Sequence, residues 1–347
     1  MLEFLLGLPY LKDGVLLRTA RRLKAPVLIS ANALSIWERD AVGLRHWRGF
    51  DRSTLNLVAQ HPVALDSGGF VASVLYRGFN FSVPQYMDLC AAAPWQWFAS
   101  LDMTCEPEIA GDEEVVRDRI AGTVRLNREC LREARERGIA DRFVPVIQGH
   151  RVEHYLRCLD QMPDLSSFPL IGIGSMCRRH VEDDELGIPR IVDELDRVFR
   201  GTRCRFHLFG IKTTGMSELR QHPRVRSVDS QAWGLHARIS ARKAGISKTN
   251  AYLAGVMERW YSEQKRLLAQ PGYAFRAPVA PLRFRDLPEP ASPFEARLRE
   301  AAEELRELHQ DGEIEWTDLS PLRLLEYIGL DEPELDGTDE LALADAA

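Results

Sequence analysis

Eight short apolar runs, rich in β-branched and aromatic residues, recur along the first 230 positions, each bounded by turn or polar residues. They are LEFLLGL near the start, PVLISA at 26–31, PVALD at 62–66, WFASLD at 97–102, FVPVIQ at 143–148, PLIGIGS at 169–175, RFHLFGI at 205–211 and RSVDS at 226–230. Segments with helical spacing separate most of them. The clearest, DEEVVRDRIAGTVRLNRECLREARER at 112–137, opens on acids, ends on bases and is followed by Gly138. Segments 151–162 and 189–200 read the same way. Strands alternating with helices pair in parallel, and eight such units predict an α/β fold, a (β/α)8 TIM barrel with a helical C-terminal extension. An open doubly wound sheet is the alternative, but no GxGxxG follows an early strand.

Past the eighth run, 232–268 reads as one or two helices and completes a barrel domain over residues 1–268. A stretch dense in proline, PGYAFRAPVAPLRFRDLPEPASP at 271–293, reads as a surface linker. Residues 269–330 are therefore assigned to this linker and a small helical C-terminal region, with a charged helix at about 294–310. The tail from Asp331 to Ala347 holds seven acids and no base, and reads as disordered.

Composition changes this picture in three places. The net charge of −6 argues at first against a nucleic-acid partner, but residues 1–330 sum to +1 once the seven tail acids are set aside. A nearly neutral body can carry a basic face, and local charge decides phosphate binding. The six cysteines, Cys90, Cys105, Cys130, Cys158, Cys177 and Cys204, show neither CxC nor CxxC spacing, which fits a reducing cytoplasm rather than a disulfide framework. No apolar run approaches a bilayer's thickness, and the opening MLEFLLGLPYL lacks the basic region and cleavage site of a leader, so it reads as a buried first strand.

In a (β/α)8 barrel the C-terminal strand ends share one face, where active sites are built. Taken as the last residues of their runs, Asp66, Asp102, Gln148 and Asp229 converge there, with the GIGS turn beside them. Any single acid at a strand end is first of all a helix N-cap or a satisfied core group. Three acids and an amide at the same end are harder to explain that way, because close carboxylates repel and shift each other's pKa. Two of the acids stand in Asp-Ser pairs, in ALDSGGF and RSVDSQAW.

In order along about 200 residues, ALDSGGF, LDMTCEP, VIQG, LIGIGS, FHLFGIK and SVDS resemble the queuine-type tRNA-guanine transglycosylases. VPVIQGH, GIGSMCRRH and HLFGIKT are more similar to the branch that inserts 7-deazaguanines into DNA, the 7-deazapurine DNA-modification transglycosylases. The resemblance implies base exchange by double displacement. Asp229 would attack C1′ of the target guanosine, and Asp66 would protonate the departing guanine and deprotonate the incoming base. That is the logic of retaining glycosidases, whose carboxyls lie roughly 5 Å apart.

By the same resemblance, Asp102 accepts from the guanine N1–H and exocyclic amine, and Gln148 reads O6 with help from the backbone of Ile171 and Gly172. Phe70 and Phe209 hold the base between two faces, a contact worth about 1–3 kcal/mol per base; core packing is their alternative. Ser67, Gly68 and Gly69 let backbone N–H groups approach the ligand. The tRNA enzymes carry a three-Cys, one-His zinc site after the nucleophile, whereas no cysteine follows Cys204 here, so no metal and no cofactor are expected. Arg178, Arg179, Lys212, Arg238, Arg242 and Lys243 are candidates for a phosphate-binding rim, with a solvated helix face as the alternative for the last three. His150 and His207 read as structural. The implied partners are DNA in preference to tRNA, a free 7-deazaguanine base such as 7-cyano-7-deazaguanine, and a protein that opens or presents the duplex. A hydrolase or base-binding module acting on free nucleosides is the second class.

Overall fold

Each of the eight apolar runs becomes a parallel strand. The computed structural model describes residues 2–40, 45–76, 78–177, 179, 186–211, 215 and 218–270, with isolated positions between 292 and 305. In chain order the strands are β1 (Glu3–Leu8), β2 (Val27–Ser30), a hairpin of β3 (Ser35–Arg39) and β4 (Arg45–Phe50), β5 (Val63–Asp66), β6 (Phe98–Ala99), β7 (Phe143–Val144), β8 (Val146–Ile147), β9 (Leu170–Ile173), β10 (Arg205–Leu208) and β11 (Val225–Ser230). Hydrogen bonding orders the large sheet β7-β6-β5-β2-β1-β11-β10-β9-β8, all parallel. Its two outer segments, β7 and β8, are halves of the single run 143–147. Pro145 divides them because it has no N–H for the ladder. Its carbonyl still accepts from Gly172 N–H at 2.8 Å, while the Val144 carbonyl accepts from Ser100 N–H at 2.9 Å. One strand thus pairs on both sides and closes the barrel.

Inside, Leu5, Leu28, Ala64, Trp97, Ala99, Val144 and Val146 form one buried cluster, with Leu170 and Phe209 packed on it. The large indole fits because Ala64 and Ala99 on neighbouring strands are small, the alternation by which a small barrel fills its interior. Outside run α1 (Val15–Arg22), α2 (Gly69–Tyr76), α3 (Val83–Ala91), the short α4 (Pro107–Ala110), α5 (Glu113–Glu136), α6 (Val152–Asp160) and α7 (Ile188–Val198). The longest, α5, starts where Asp112 accepts from the N–H groups of Glu114 and Val115, and stops before Gly138 at φ +68°.

The β3–β4 hairpin is an insertion between the second and third barrel strands that the pattern of apolar runs does not predict. Trp47 pins it: its indole N–H donates to Ser35 Oγ at 3.1 Å, and its ring meets Phe50 and Phe81 at 5.3 and 5.8 Å. The chain divides into two units, Met1–Gln231 with Met257–Ala274 and Ala232–Val256 with Phe275–Ala347. The helix Ala232–Lys243 belongs to the second, and the helix Asn250–Leu268 contributes to both. The expected linker and acidic tail lie outside the described residues. No described helix is long and apolar enough to cross a membrane.

Candidate active site

Asp66 is the last residue of β5, and the chain turns at once into α2. Its Oδ2 accepts from Gly68 N–H at 2.9 Å, the Asx-type contact expected of an acid after a strand. Capping is only part of its environment. Burial, the charge of Asp102 and the charge of Asp229, in that order, push its carboxyl up to about 8 against the backbone donors of Gly68 and Ser67. Its position therefore favours a neutral carboxylic acid at neutral pH, next to two other acids.

Asp102 lies three residues beyond the end of β6, not at the strand end itself. The strand is shorter than its apolar run because the chain leaves the ladder after Ser100 pairs with Val144. Asp102 is nonetheless buried and doubly held. Ser67 Oγ donates to Oδ1 at 2.6 Å, and the Gln148 amide N–H donates to Oδ2 in a short hydrogen bond. Burial raises its pKa, and the two donors oppose that shift. Gly69 makes the approach possible, since a Cβ there would sit 2.9 Å from Asp102 Oδ2. Gln148, one residue past β8, accepts at Oε1 from Ser175 Oγ at 2.7 Å, and Ser175 Oγ in turn accepts from Cys105 N–H. Ser67, Asp102, Gln148 and Ser175 thus form one continuous polar chain across the loops after four strands.

Asp229 stands on β11, largely buried, and its Oδ1 takes two donors: Gly210 N–H at 3.0 Å and His207 Nε2 at 3.2 Å. The structure therefore gives His207, read from sequence as structural, a direct contact with a candidate catalytic acid. Phe209 and Phe70 are both half-buried. The Phe209 ring lies close over Gly172, where a Cβ would be 2.5 Å from Cε2.

Two expectations are corrected. Ile171 is fully buried, and Ile171 and Gly172 sit within the β9 ladder with Gly172 N–H spent on Pro145, so neither backbone is positioned to read a ligand; the turn proper begins at Gly174. Arg179 points inward. Its guanidinium donates to the carbonyls of Ser175, Leu186 and Gly149 at 2.6, 3.0 and 2.9 Å and to Tyr155 Oη at 3.3 Å. With its donors committed to these acceptors, it braces the turns that carry Gln148 and Ser175 instead of meeting phosphate. Arg178 and Lys212 lie outside the described residues. Arg238, Arg242 and Lys243 are exposed on the helix Ala232–Lys243. Among the described residues, no group of three His, Cys, Asp or Glu is placed to hold a metal ion.

A closed parallel barrel with acids gathered at its C-terminal strand ends defines a (β/α)8-barrel enzyme. Residues 40–277, well over half the chain, match the family model described as DpdA, deoxypurine in DNA protein A. The chain belongs to that family, the 7-deazapurine DNA-modification transglycosylases. No curated protein matches it. Solved structures with a likeness include the YdjI aldolase from Escherichia coli, at 8% identity over 77% of this chain and 91% of that chain with a TM-score of 0.44. KGPDC from Streptococcus mutans aligns at 9% identity over 77% of this chain and 99% of that chain, with a TM-score of 0.38.

Proposed function

We propose that the protein exchanges guanine in DNA for a free 7-deazaguanine base through a covalent glycosyl-aspartate. The carrying observation is the unequal environment of the two Asp-Ser acids. Asp66 is held toward its neutral form, while Asp229 receives two N–H donors on one oxygen, as a carboxylate does. Acids whose surroundings differ in this way take the parts of proton donor and nucleophile.

In the first half-reaction an Asp229 oxygen bonds to C1′. The C1′–N9 electron pair leaves with guanine, which takes the Asp66 proton. In the second, Asp66 takes the N9 proton of the incoming base, N9 bonds to C1′, and the Asp229 carboxylate departs. Two inversions retain configuration, and the proton returns to Asp66. Asp102 and Gln148 offer the acceptor and amide edges that the Watson–Crick side of guanine requires, and Phe70 and Phe209 supply apolar faces.

The direct test is to incubate the protein with duplex DNA, single-stranded DNA and tRNA, each with 7-cyano-7-deazaguanine, and to analyse the nucleosides by mass spectrometry. The modified deoxynucleoside should appear with one guanine released per base inserted. Modification of tRNA alone would move the reading to the tRNA enzymes, and guanine release without insertion would make the protein a hydrolase.

Two variants probe the binding groups. Asp102→Asn should weaken 7-cyano-7-deazaguanine binding by about 10- to 100-fold, the size of one lost hydrogen bond to a charged group. A neutral amide cannot accept from two base donors as a carboxylate does; titration calorimetry reads the change. Replacing Arg238, Arg242 and Lys243 together by alanine should weaken DNA binding without regard to sequence. The slope of log affinity against log salt should become shallower by about 2–3, near 0.7–0.9 for each lost phosphate contact. No acid occurs between Ser230 and Met257, so this stretch is uniformly basic.

A further inference from the structure

We infer that His207 is a positioning residue for Asp229, held in register by Ser227, and that it assigns the attacking atom as Oδ2. This rests on Asp229 being the nucleophile. The arrangement originates in a β-bulge. Phe206 pairs with Val225, but the next residue, His207, pairs with Ser227, so Arg226 is an extra residue on β11. Bulges re-aim side chains and are frequent beside active sites. This one brings Ser227 and Asp229, two residues apart and on the same face of β11, to opposite nitrogens of one imidazole. Ser227 Oγ lies 2.9 Å from Nδ1, and Asp229 Oδ1 lies 3.2 Å from Nε2.

An ionised carboxylate only accepts, so Nε2 carries the proton that points at Asp229; in the neutral ring Ser227 hydroxyl, which can do either, then donates to Nδ1. The ring cannot easily rotate away. It is fully buried, with the Trp97 ring 4.8 Å and the Phe209 ring 4.5 Å from it, centroid to centroid. Gly210 N–H adds a second donor to the same Oδ1 at 3.0 Å. Among the described residues nothing donates to Oδ2. With Oδ1 fixed by two donors, the carboxylate plane is set and Oδ2 is the oxygen presented to C1′. Phe209 joins this device to the base site, since it packs on His207 and on Gly172.

Asparagine and glutamine at position 207 separate positioning from packing. An asparagine amide falls near Nδ1 and can keep Ser227 but not reach Asp229, whereas a glutamine amide falls near Nε2 and can still donate to it. With guanine-containing DNA in rapid-quench experiments, His207→Asn should slow formation of the denaturation-resistant adduct by about 10- to 100-fold, the worth of one hydrogen bond to a charged group. His207→Gln should recover most of that rate, and both variants should bind 7-cyano-7-deazaguanine like the parent. An unchanged adduct rate in His207→Asn overturns the inference, as does a glutamine variant no better than asparagine with base binding falling in parallel.

Asp229→Asn run alongside distinguishes the two levels. If it still traps adduct, the nucleophile reading fails and the inference with it. If it is inactive while His207→Asn runs at full rate, only the role of His207 fails. A measurement on the unsubstituted protein needs no turnover: 15N spectra of labelled histidine should place the His207 proton on Nε2, and a proton on Nδ1 alone would overturn the assignment.

Discussion

Asp229→Asn is expected to form no covalent sugar adduct and to exchange bases at the uncatalysed background. An amide nitrogen in place of Oδ2 has no nucleophilic lone pair at hand, and one in place of Oδ1 would point its hydrogens at the Gly210 and His207 donors. The variant is nearly isosteric, so the barrel and the groups proposed to bind the base, Asp102 and Gln148, are untouched. Binding of 7-cyano-7-deazaguanine should therefore survive while adduct disappears, which separates loss of chemistry from loss of fold. The measurement is a denaturing gel of protein incubated with labelled guanine-containing DNA. Should adduct persist, Asp66 becomes the leading nucleophile, because both oxygens of the third acid, Asp102, already accept side-chain hydrogen bonds.

The same stretch of strand illustrates what could and could not be read in the chain. All eight barrel strands were legible because a parallel strand covered on both faces is a short, continuous apolar run. The split of the fifth was not read, because 143–148 is one apolar run, although Pro145 marks it, since proline cannot donate to a central ladder. The hairpin 35–50 escaped because it packs through a few aromatics, Trp47, Phe50 and Phe81, and has no continuous apolar run. Its signal was Ile36, Trp37 and Trp47 flanking Gly43.

Among the candidate site residues, the gathering of Asp66, Asp102, Gln148 and Asp229 at one end of the barrel could be expected from their order along the chain, because barrel topology gathers strand ends whatever the loops do. Arg179 could not be recognised as a brace, since the direction of a side chain in a turn is set by the fold and not by the local sequence. The contact of His207, read as structural, with Asp229 escaped for a different reason. Phe206 faces the helix layer, where it meets Phe199, so alternation places His207 inward, on the same side as Phe209. An imidazole directed into a barrel needs partners, and Ser227-x-Asp229 on the neighbouring strand offered them. The one-residue bulge that matches them is a property of the ladder and leaves no mark in the sequence.

Asp66→Asn is expected to slow adduct formation by about 10²–10⁴-fold without abolishing it, the usual worth of a positioned general acid. Asp229 remains to attack, but guanine must leave without its proton. The pH profile carries the sharper expectation. With the Asp66 carboxyl pushed to about 8, the parent's kcat/KM for adduct formation should hold up to that pH and then fall as the proton is lost. The asparagine variant should lack that descending limb. Stability should follow the same group. Between the ordinary carboxyl value of 3.8 and about 8, the folded protein keeps a proton on Asp66 that the unfolded chain has released. The native state then binds more protons, so this group's contribution to stability falls as pH rises through that window and levels off above it. Asparagine cannot ionise, so the melting temperature of Asp66→Asn relative to the parent should climb from pH 5 to pH 9. Parallel pH–Tm curves for the two proteins would mean that Asp66 titrates as an ordinary carboxylate, and the assignment of the general acid would have to be withdrawn.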